Sequence, residues 1–479
     1  MRSTTTLMKN WQFTGPDGNT TTVDLPHTWN NIDGQDGGND YWRGSCTYRI
    51  HFAAPAFDPA AQQVWLQFEG VGDSAKISLN GTEVTSHDGG FSTFRADITA
   101  LLQADNELTV VADNSKNDTV YPQKADFTFY GGIYRTVSLL VVSRDHIALD
   151  YYGGPGVQIT PTVNGSSAEI RVESKVNGGG SVEVAILDAE GREVLTGSGM
   201  DTTLTLDRPH LWDGVRDPYL YTCVVRLMKD GQAVDEVRQR FGVRSFSVDP
   251  KQGFFLNGRP YPLHGVSRHQ DRKGLGNAIT REMHDEDMQL IKELGANTIR
   301  LAHYQHDQFF YDLCDERGMI VWAEIPYISR HMNGADENAV AQMKELITQN
   351  YNHPSIVVWG LSNEITMTMT DEADMLRVHR TLNDLCHEMD KTRLTTLAAV
   401  SPCPINAMVV HIPDVVSYNH YFGWYGGDPS MNGPWFDRFH EAYPNTPIGM
   451  SEYGCEALNW HTSDPRQGDY TEEYQAHYH

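Results

Sequence analysis

Apolar and polar residues alternate with a period of two through the first half of the chain, then give way to longer apolar blocks. Up to residue 144 the apolar runs are short and end in turn residues. Val64-Trp65-Leu66-Gln67-Phe68 precedes Glu69-Gly70, and Ala75-Lys76-Ile77-Ser78-Leu79 precedes Asn80-Gly81. Successive side chains on a strand face opposite ways, so such runs read as half-buried strands, and Asn-Gly is a strong hairpin signal. Residues 1–144 are therefore expected to form an antiparallel β-sandwich of jelly-roll type. The pattern repeats over residues 145–245, in VEVAILDAEGREVL and YLYTCVVRLMKDGQAVDEVRQRFG. A stretch of this length with roughly seven strands suits an immunoglobulin-like sandwich. No constellation of titratable groups stands out in it, and it reads as a spacer.

From residue 246 onward strands alternate with helices, the mark of a parallel α/β barrel. A helix is expected over Arg281–Leu294, after Thr280 as N-cap and before Gly295 as stop. Strands are expected near Tyr261–Gly265, Thr298–Leu301, Ile320–Trp322, Ile356–Leu361, Leu394–Ala399, Val415–Tyr418 and Pro447–Met450. That makes seven, where a closed TIM barrel has eight. Residues 246–479 are thus expected to be a TIM barrel lacking its last strand. On this reading the chain is a fragment, or another polypeptide completes it.

The chemistry concentrates where two of these runs stop. Asn352 to Glu364 reads NHPSIVVWGLSNE: Pro354 ends a helix, Ser355–Leu361 is almost unbroken apolar strand, and Ser362-Asn363-Glu364 follows at once. Pro447-Ile448-Gly449-Met450-Ser451 likewise leads straight into Glu452. Carboxyl ends of parallel strands are where ligands gather in such folds, so both glutamates are expected to face one opening. Two facing carboxylates are the parts of a glycosidase, one acting as acid and the other as anion.

Charge and composition narrow the partners. The net charge of −26 repels nucleic acid and anionic lipid. No run of 18 apolar residues marks a membrane span, and MRSTTTLMKNWQF has no apolar segment of a signal peptide. A cytoplasmic location is the expectation. The six cysteines are scattered without zinc spacing and read as reduced thiols.

NHPSIVVWGLSNE and PIGMSEYG resemble the acid/base and nucleophile signatures of glycoside hydrolase family 2, which includes β-galactosidases, β-glucuronidases and β-mannosidases. LPHTWN, YWRGSCTYR and FYGGIYR, at residues 25–30, 41–49 and 129–135, resemble the sugar-binding domain of the same family. The resemblance implies a retaining exo-β-glycosidase with Glu364 as acid/base and Glu452 as nucleophile. It implies that Asp126 reaches the sugar from the first domain, although by itself Asp126 reads as a solvated loop residue. Asn363 would bond the 2-hydroxyl, and His269, Arg300 and His303 would hold sugar hydroxyls and support the nucleophile. Glu324 would be a buried supporting acid paired with Arg300. Tyr421, in SYNHYFGWYGG, would bond the nucleophile, with Phe422, Trp424 and Tyr425 walling the sugar subsite. Tyr327–His331 does not match the Glu-x-His motif of the metal-dependent β-galactosidases, and His303 with His306 lacks an accompanying metal motif. No cofactor is expected, and a metal requirement is left open.

Among family activities, SEYGCEALNWHTSDPRQGDYTEEYQ resembles the β-galactosidases, although Cys455 stands where the large members have histidine. The expected partner is therefore a β-galactoside, with no nucleic acid or membrane partner and with a homo-oligomer left open. A β-glucuronidase is the first alternative; its Asn-x-Lys pair is expected beyond residue 479. A non-hydrolytic carbohydrate-binding protein is the second, should the barrel be incomplete.

Overall fold

The computed structural model describes residues 1–32, 41–368, 371–458, 460–461 and 470–479. In the first 143 residues a six-stranded antiparallel sheet faces a four-stranded one. The larger runs in the order Thr20–Val23, Trp11–Thr14, Ser45–Ala53, Asp105–Asp113, Ser74–Leu79 and Thr82–Asp88; the smaller is Ser3–Thr6, Val137–Ser143, Gln62–Phe68 and Phe94–Asp97. Burial alternates along these strands, and the inward residues, among them Trp11, Tyr48, Leu66 and Ile77, form one core. Asn80 and Gly81 turn the Ser74–Leu79 strand into Thr82–Asp88, and both have positive φ (51° and 81°). That is the conformation a two-residue hairpin with the native strand twist requires.

A second sandwich packs a three-stranded sheet (Val157–Asn164, Ser167–Ser174, Asp201–Asp207) on a four-stranded one (Glu193–Ser198, Ser181–Leu187, Tyr221–Lys229, Gln232–Phe241). The seven strands share a core around Ile170, Val184 and Val225.

Seven parallel strands then build the barrel in chain order: Gly265–Arg268, Thr298–Leu301, Ile320–Glu324, Ile356–Thr368, Leu394–Val400, Val415–Asn419 and Ile448–Glu452. A short strand, Ile328–Arg330, adds to the fourth. Among the described residues the first and seventh strands are each paired on one side only. The first strand begins where Tyr261–Gly265 was expected to end. Tyr261 instead belongs below the barrel, where it packs with Trp212, Phe254, Ile320 and Val357. The third to seventh strands run further than their apolar patterns, and the added residues of the third, fourth, sixth and seventh include Glu324, Asn363, Glu364, Asn419 and Glu452 of the site. Among the described residues no helix is long and apolar enough to cross a membrane.

The first sandwich is clamped to the third barrel helix, Asp336–Asn350. Gln349 accepts from the Thr93 amide (3.0 Å) and donates to the Thr93 carbonyl (2.9 Å), and His87 pairs with Glu345 at 2.8 Å. Tyr121 penetrates further. Its ring joins the barrel core 4.9 Å from Tyr327, and its hydroxyl accepts from the Met332 amide. This anchors the loop that carries Asp126 and Phe127 over the barrel mouth.

Candidate active site

At the carboxyl ends of the strands, Asp126, Glu364, Asn419, Tyr421 and Glu452 line a cavity of about 450 Å³. Its floor is an ion-pair cluster centred on Arg300 of the second strand. The guanidinium donates to Glu324 at 3.1 and 2.9 Å, to Glu452 Oε1 at 2.6 Å and to Asn363 Oδ1 at 2.9 Å. A buried charge is tolerated only when paired and hydrogen-bonded, and these contacts satisfy that demand. Burial opposes ionisation of Glu324, but the Arg300 charge and donation from His303 outweigh it and hold the carboxyl below its ordinary range. The strand sequence makes room for this cluster. A Cβ on Gly360 would come within 2.5 Å of both the Glu324 Cβ and Trp322 Nε1, so glycine there lets the third strand's carboxylate lie across the fourth strand.

Ionised Glu324 can only accept, so His303 Nδ1, 2.7 Å from Glu324 Oε1, is the donor. Nε2 of the same ring lies 3.6 Å from Glu452 Oε1. His269, 5.1 Å from His303, is held neutral: burial and the nearby His303 and Arg300 push it down to about 3. Phe127 of the first sandwich closes this side, its ring 4.9 Å from His269 and 6.0 Å from His303.

Glu452 receives a second donor at its other oxygen, the Tyr421 hydroxyl at 2.7 Å. Burial and the adjacent Glu452 charge push the Tyr421 phenol up, so it stays a donor. With Arg300 on Oε1 and Tyr421 on Oε2, the Glu452 carboxyl is fixed in orientation from both sides. Glu364 contrasts with it. It has φ of 47°, and its Oε1 accepts from Asn419 Nδ2 at 3.0 Å. Burial, then the charges of Glu452 and Asp126, raise its carboxyl above the ordinary range against the opposing pull of Asn419 and His303. The two carboxyls thus sit in different surroundings: Glu452 meets a guanidinium and a phenol, and Glu364 meets an amide beside two like charges.

The structure brings together nine of the residues singled out from the sequence: Asp126, Glu364, Tyr421 and Glu452 on the cavity wall, Arg300, Glu324, His303 and Asn363 in the cluster beneath, and His269 beside it. Trp424 departs from expectation. It packs 4.7 Å from Tyr470 instead of lining the cavity with Phe422 and Tyr425, because the turn from Tyr421 to Trp424 (amide to carbonyl, 2.9 Å) swings it aside. Two further residues were not singled out. Asn419 bonds both Glu364 and Asn363 (3.2 Å to the latter) and is itself held by the Ser451 hydroxyl at 2.7 Å. Its signal was the strand period, since Asn419 lies two residues before Tyr421. Phe127 carried no signal beyond its position next to Asp126.

Comparison with known proteins agrees with this architecture along the chain. Residues 35–131 match the family description "Glycosyl hydrolase 2 galactose-binding domain-like", residues 155–244 match "Glycosyl hydrolases family 2", and residues 248–479 match "Glycosyl hydrolases family 2, TIM barrel domain". A β-glucuronidase of Bacteroides fragilis is 36% identical over 99% of this chain and 72% of its own length. The crystal structure of an FMN-binding β-glucuronidase from Facaelibacterium prausnitzii L2-6 is 46% identical with a TM-score of 0.97, covering 100% of this chain and 76% of that one. A putative β-galactosidase from Bacteroides fragilis is 37% identical with a TM-score of 0.93, at coverages of 100% and 76%. On these matches the chain belongs to glycoside hydrolase family 2, a family of enzymes that cleave glycosidic bonds.

Proposed function

We propose that this chain is a retaining exo-β-glycosidase acting on terminal β-D-glucuronides, with β-D-galactosides as the second reading. One observation carries the mechanism. Arg300 and Tyr421 donate to the two oxygens of Glu452, while Glu364, on the wall of the same cavity, has its carboxyl raised by burial and by the neighbouring Glu452 charge. In the first step Glu452 attacks the anomeric carbon and Glu364 protonates the departing oxygen, giving a glycosyl-enzyme. Glu364, now a carboxylate, then takes a proton from water as the water releases the sugar. Asn363, fixed by Arg300 and Asn419, is the partner for the 2-hydroxyl, and Asp126 meets the sugar from the first domain. No atom changes oxidation state in either step, so neither calls for the flavin named for the Facaelibacterium relative.

The sugar is read from the relatives. Two named β-glucuronidases, at 36% and 46% identity, support the uronide, and the putative β-galactosidase at 37% supports the galactoside. The described cavity wall carries three carboxylates, Asp126, Glu364 and Glu452, and no cationic side chain, so it does not itself select a uronate. Of the stretch that resembles the β-galactosidases, residues 459 and 462–469 lie outside the described residues. The test is hydrolysis of paired aryl glucuronides and galactosides followed by proton NMR. The expected result is faster glucuronide turnover with the β-anomer released first. First release of the α-anomer, or hydrolysis of neither sugar, would overturn the reading.

A further inference from the structure

Beside the Arg300 cluster lies a second buried cation, which no step of the mechanism uses. Arg268 ends the first barrel strand, one residue before His269, and only 6% of it is exposed. Its guanidinium lies 3.8 Å over the Phe310 ring and donates to Asp287 of the first barrel helix, Arg281–Glu293, at 3.1 and 2.6 Å. Its other contacts are to two imidazoles, His306 Nδ1 and His284 Nδ1, each at 3.1 Å. His306 is fully buried and lies three residues beyond His303.

A guanidinium stays charged and can only donate. His306 Nδ1 is therefore an acceptor. Burial and the Arg268 charge push this imidazole well below its ordinary range and keep it neutral. A neutral imidazole that accepts at Nδ1 carries its proton on Nε2. Nε2 stands 3.0 Å from the Ala302 carbonyl and donates to it. With Nδ1 engaged and Nε2 protonated, the ring has no lone pair left for a metal. The Ala302 amide in turn donates to the Arg268 carbonyl at 3.1 Å. Residue 302 is thus held on both sides from one origin, directly by the Arg268 main chain and through His306 by its side chain. The Ala302 carbonyl belongs to the peptide that leads into His303. That histidine donates from Nδ1 to Glu324 at 2.7 Å and places Nε2 3.6 Å from Glu452 Oε1.

We propose that Arg268 and His306 are positioning residues for His303: the buried cation selects the Nε2–H tautomer of His306, and that N–H fixes the peptide that carries His303. The effect on rate rests on the glycosidase reading; the tautomer does not.

His306→Phe tests this, because it keeps a ring against Tyr304 (5.2 Å and 21° in the native stack) and loses only the two nitrogens. On dinitrophenyl glucuronide and galactoside, kcat/KM is expected to fall about tenfold, the scale of one buried hydrogen bond. In a His303→Ala background the same substitution should cost less than about twofold, since the residue it acts through is gone. His306→Gln, whose amide N–H can still reach the Ala302 carbonyl, should stay within about threefold of the wild type. A purely structural role would cost the same factor with and without the His303 imidazole, and that result would overturn the proposal. Ring-nitrogen NMR of isotope-labelled histidine reads the tautomer in the wild type without turnover, with His306 assigned from its contact with the Tyr304 ring. A proton on Nε2 alone is expected; a His306 protonated on Nδ1 would overturn the proposal. Hydrolysis of neither sugar would remove the glycosidase reading and leave that spectrum as it is. The His303 ring signals then decide the coupling: they are expected to move in His306→Phe, and unmoved signals would overturn it.

Discussion

Tyr421→Phe removes one hydroxyl from the site and nothing else of comparable size. In the resting enzyme that hydroxyl donates to Glu452 Oε2 at 2.7 Å, while Arg300 holds Oε1 at 2.6 Å. A hydrogen bond to a charged group contributes about 1.5–3 kcal/mol. At about 1.36 kcal/mol per decade that is roughly 10- to 100-fold in rate. The two chemical steps do not share this loss equally. When Glu452 attacks, it spends its negative charge, and the donor's contribution fades, so a less stabilised anion is also a better nucleophile. When the glycosyl-enzyme breaks down, Glu452 is the leaving group and its charge returns, so the missing donor is felt in full. The variant should therefore accumulate the glycosyl-enzyme. Stopped-flow assays with a dinitrophenyl glycoside should show a burst of one equivalent, with kcat lowered roughly 10- to 100-fold and KM lowered in parallel, as expected when an intermediate builds up. Stability should change little, because Arg300 still pairs the carboxylate. A fall in kcat/KM with no burst and an unchanged KM would refute this division of labour and make Tyr421 an orienting residue for the first step.

Arg300→Met should destabilise the fold by about 3–5 kcal/mol in chemical denaturation at neutral pH, because it strands buried Glu324 without its main partner; a loss under about 1 kcal/mol would mean the cluster is not a paired network. Asp126 is exposed on the clamped loop, so Asp126→Ala should lower kcat/KM by about tenfold, the scale of one hydrogen bond to a charged group, and leave the melting temperature unchanged; normal kinetics would return it to a solvated loop residue. The raised carboxyl of Glu364 keeps its proton to higher pH than an ordinary glutamate, so kcat/KM on poor leaving groups should fall as pH rises through that range. Glu364→Ala should remove this alkaline limb, costing at least about 10²-fold on poor leaving groups and much less on dinitrophenyl glycosides.

How much of this was legible follows from what an apolar pattern measures. It reports which residues are buried in hydrocarbon, and so it located the barrel strands and the points where their apolar runs stop. It ended the fourth strand at Leu361, whereas the ladder continues to Thr368. Ser362 and Asn363 are as buried as the residues before them, but against polar partners: Ser362 meets His379 at 2.8 Å, and Asn363 meets Arg300. Polar burial of this kind leaves no hydrophobic signature, which is why Asn419 was passed over while Glu364 and Glu452, carried by recognisable motifs, were not. Tyr261 misled for the opposite reason. It is apolar and buried, but under the barrel beside Trp212, and Pro262 separates it from the strand. Contacts between distant segments were illegible altogether: nothing in Tyr121 or Phe127 announces that a loop of the first sandwich reaches into the barrel.

The claim on which the rest depends is that Glu452 forms a bond to the sugar. A 2-deoxy-2-fluoro glycosyl fluoride slows both steps, while its good leaving group keeps the first fast enough for the intermediate to persist. Incubating the chain with the glucuronyl and galactosyl forms, then digesting it and sequencing the labelled peptide by mass spectrometry, reads the attachment site directly. The account predicts one fluoroglycosyl group on Glu452, with labelling absent in Glu452→Gln. A label on Glu364, or active enzyme that turns over aryl glycosides yet carries no label from either sugar, would contradict it.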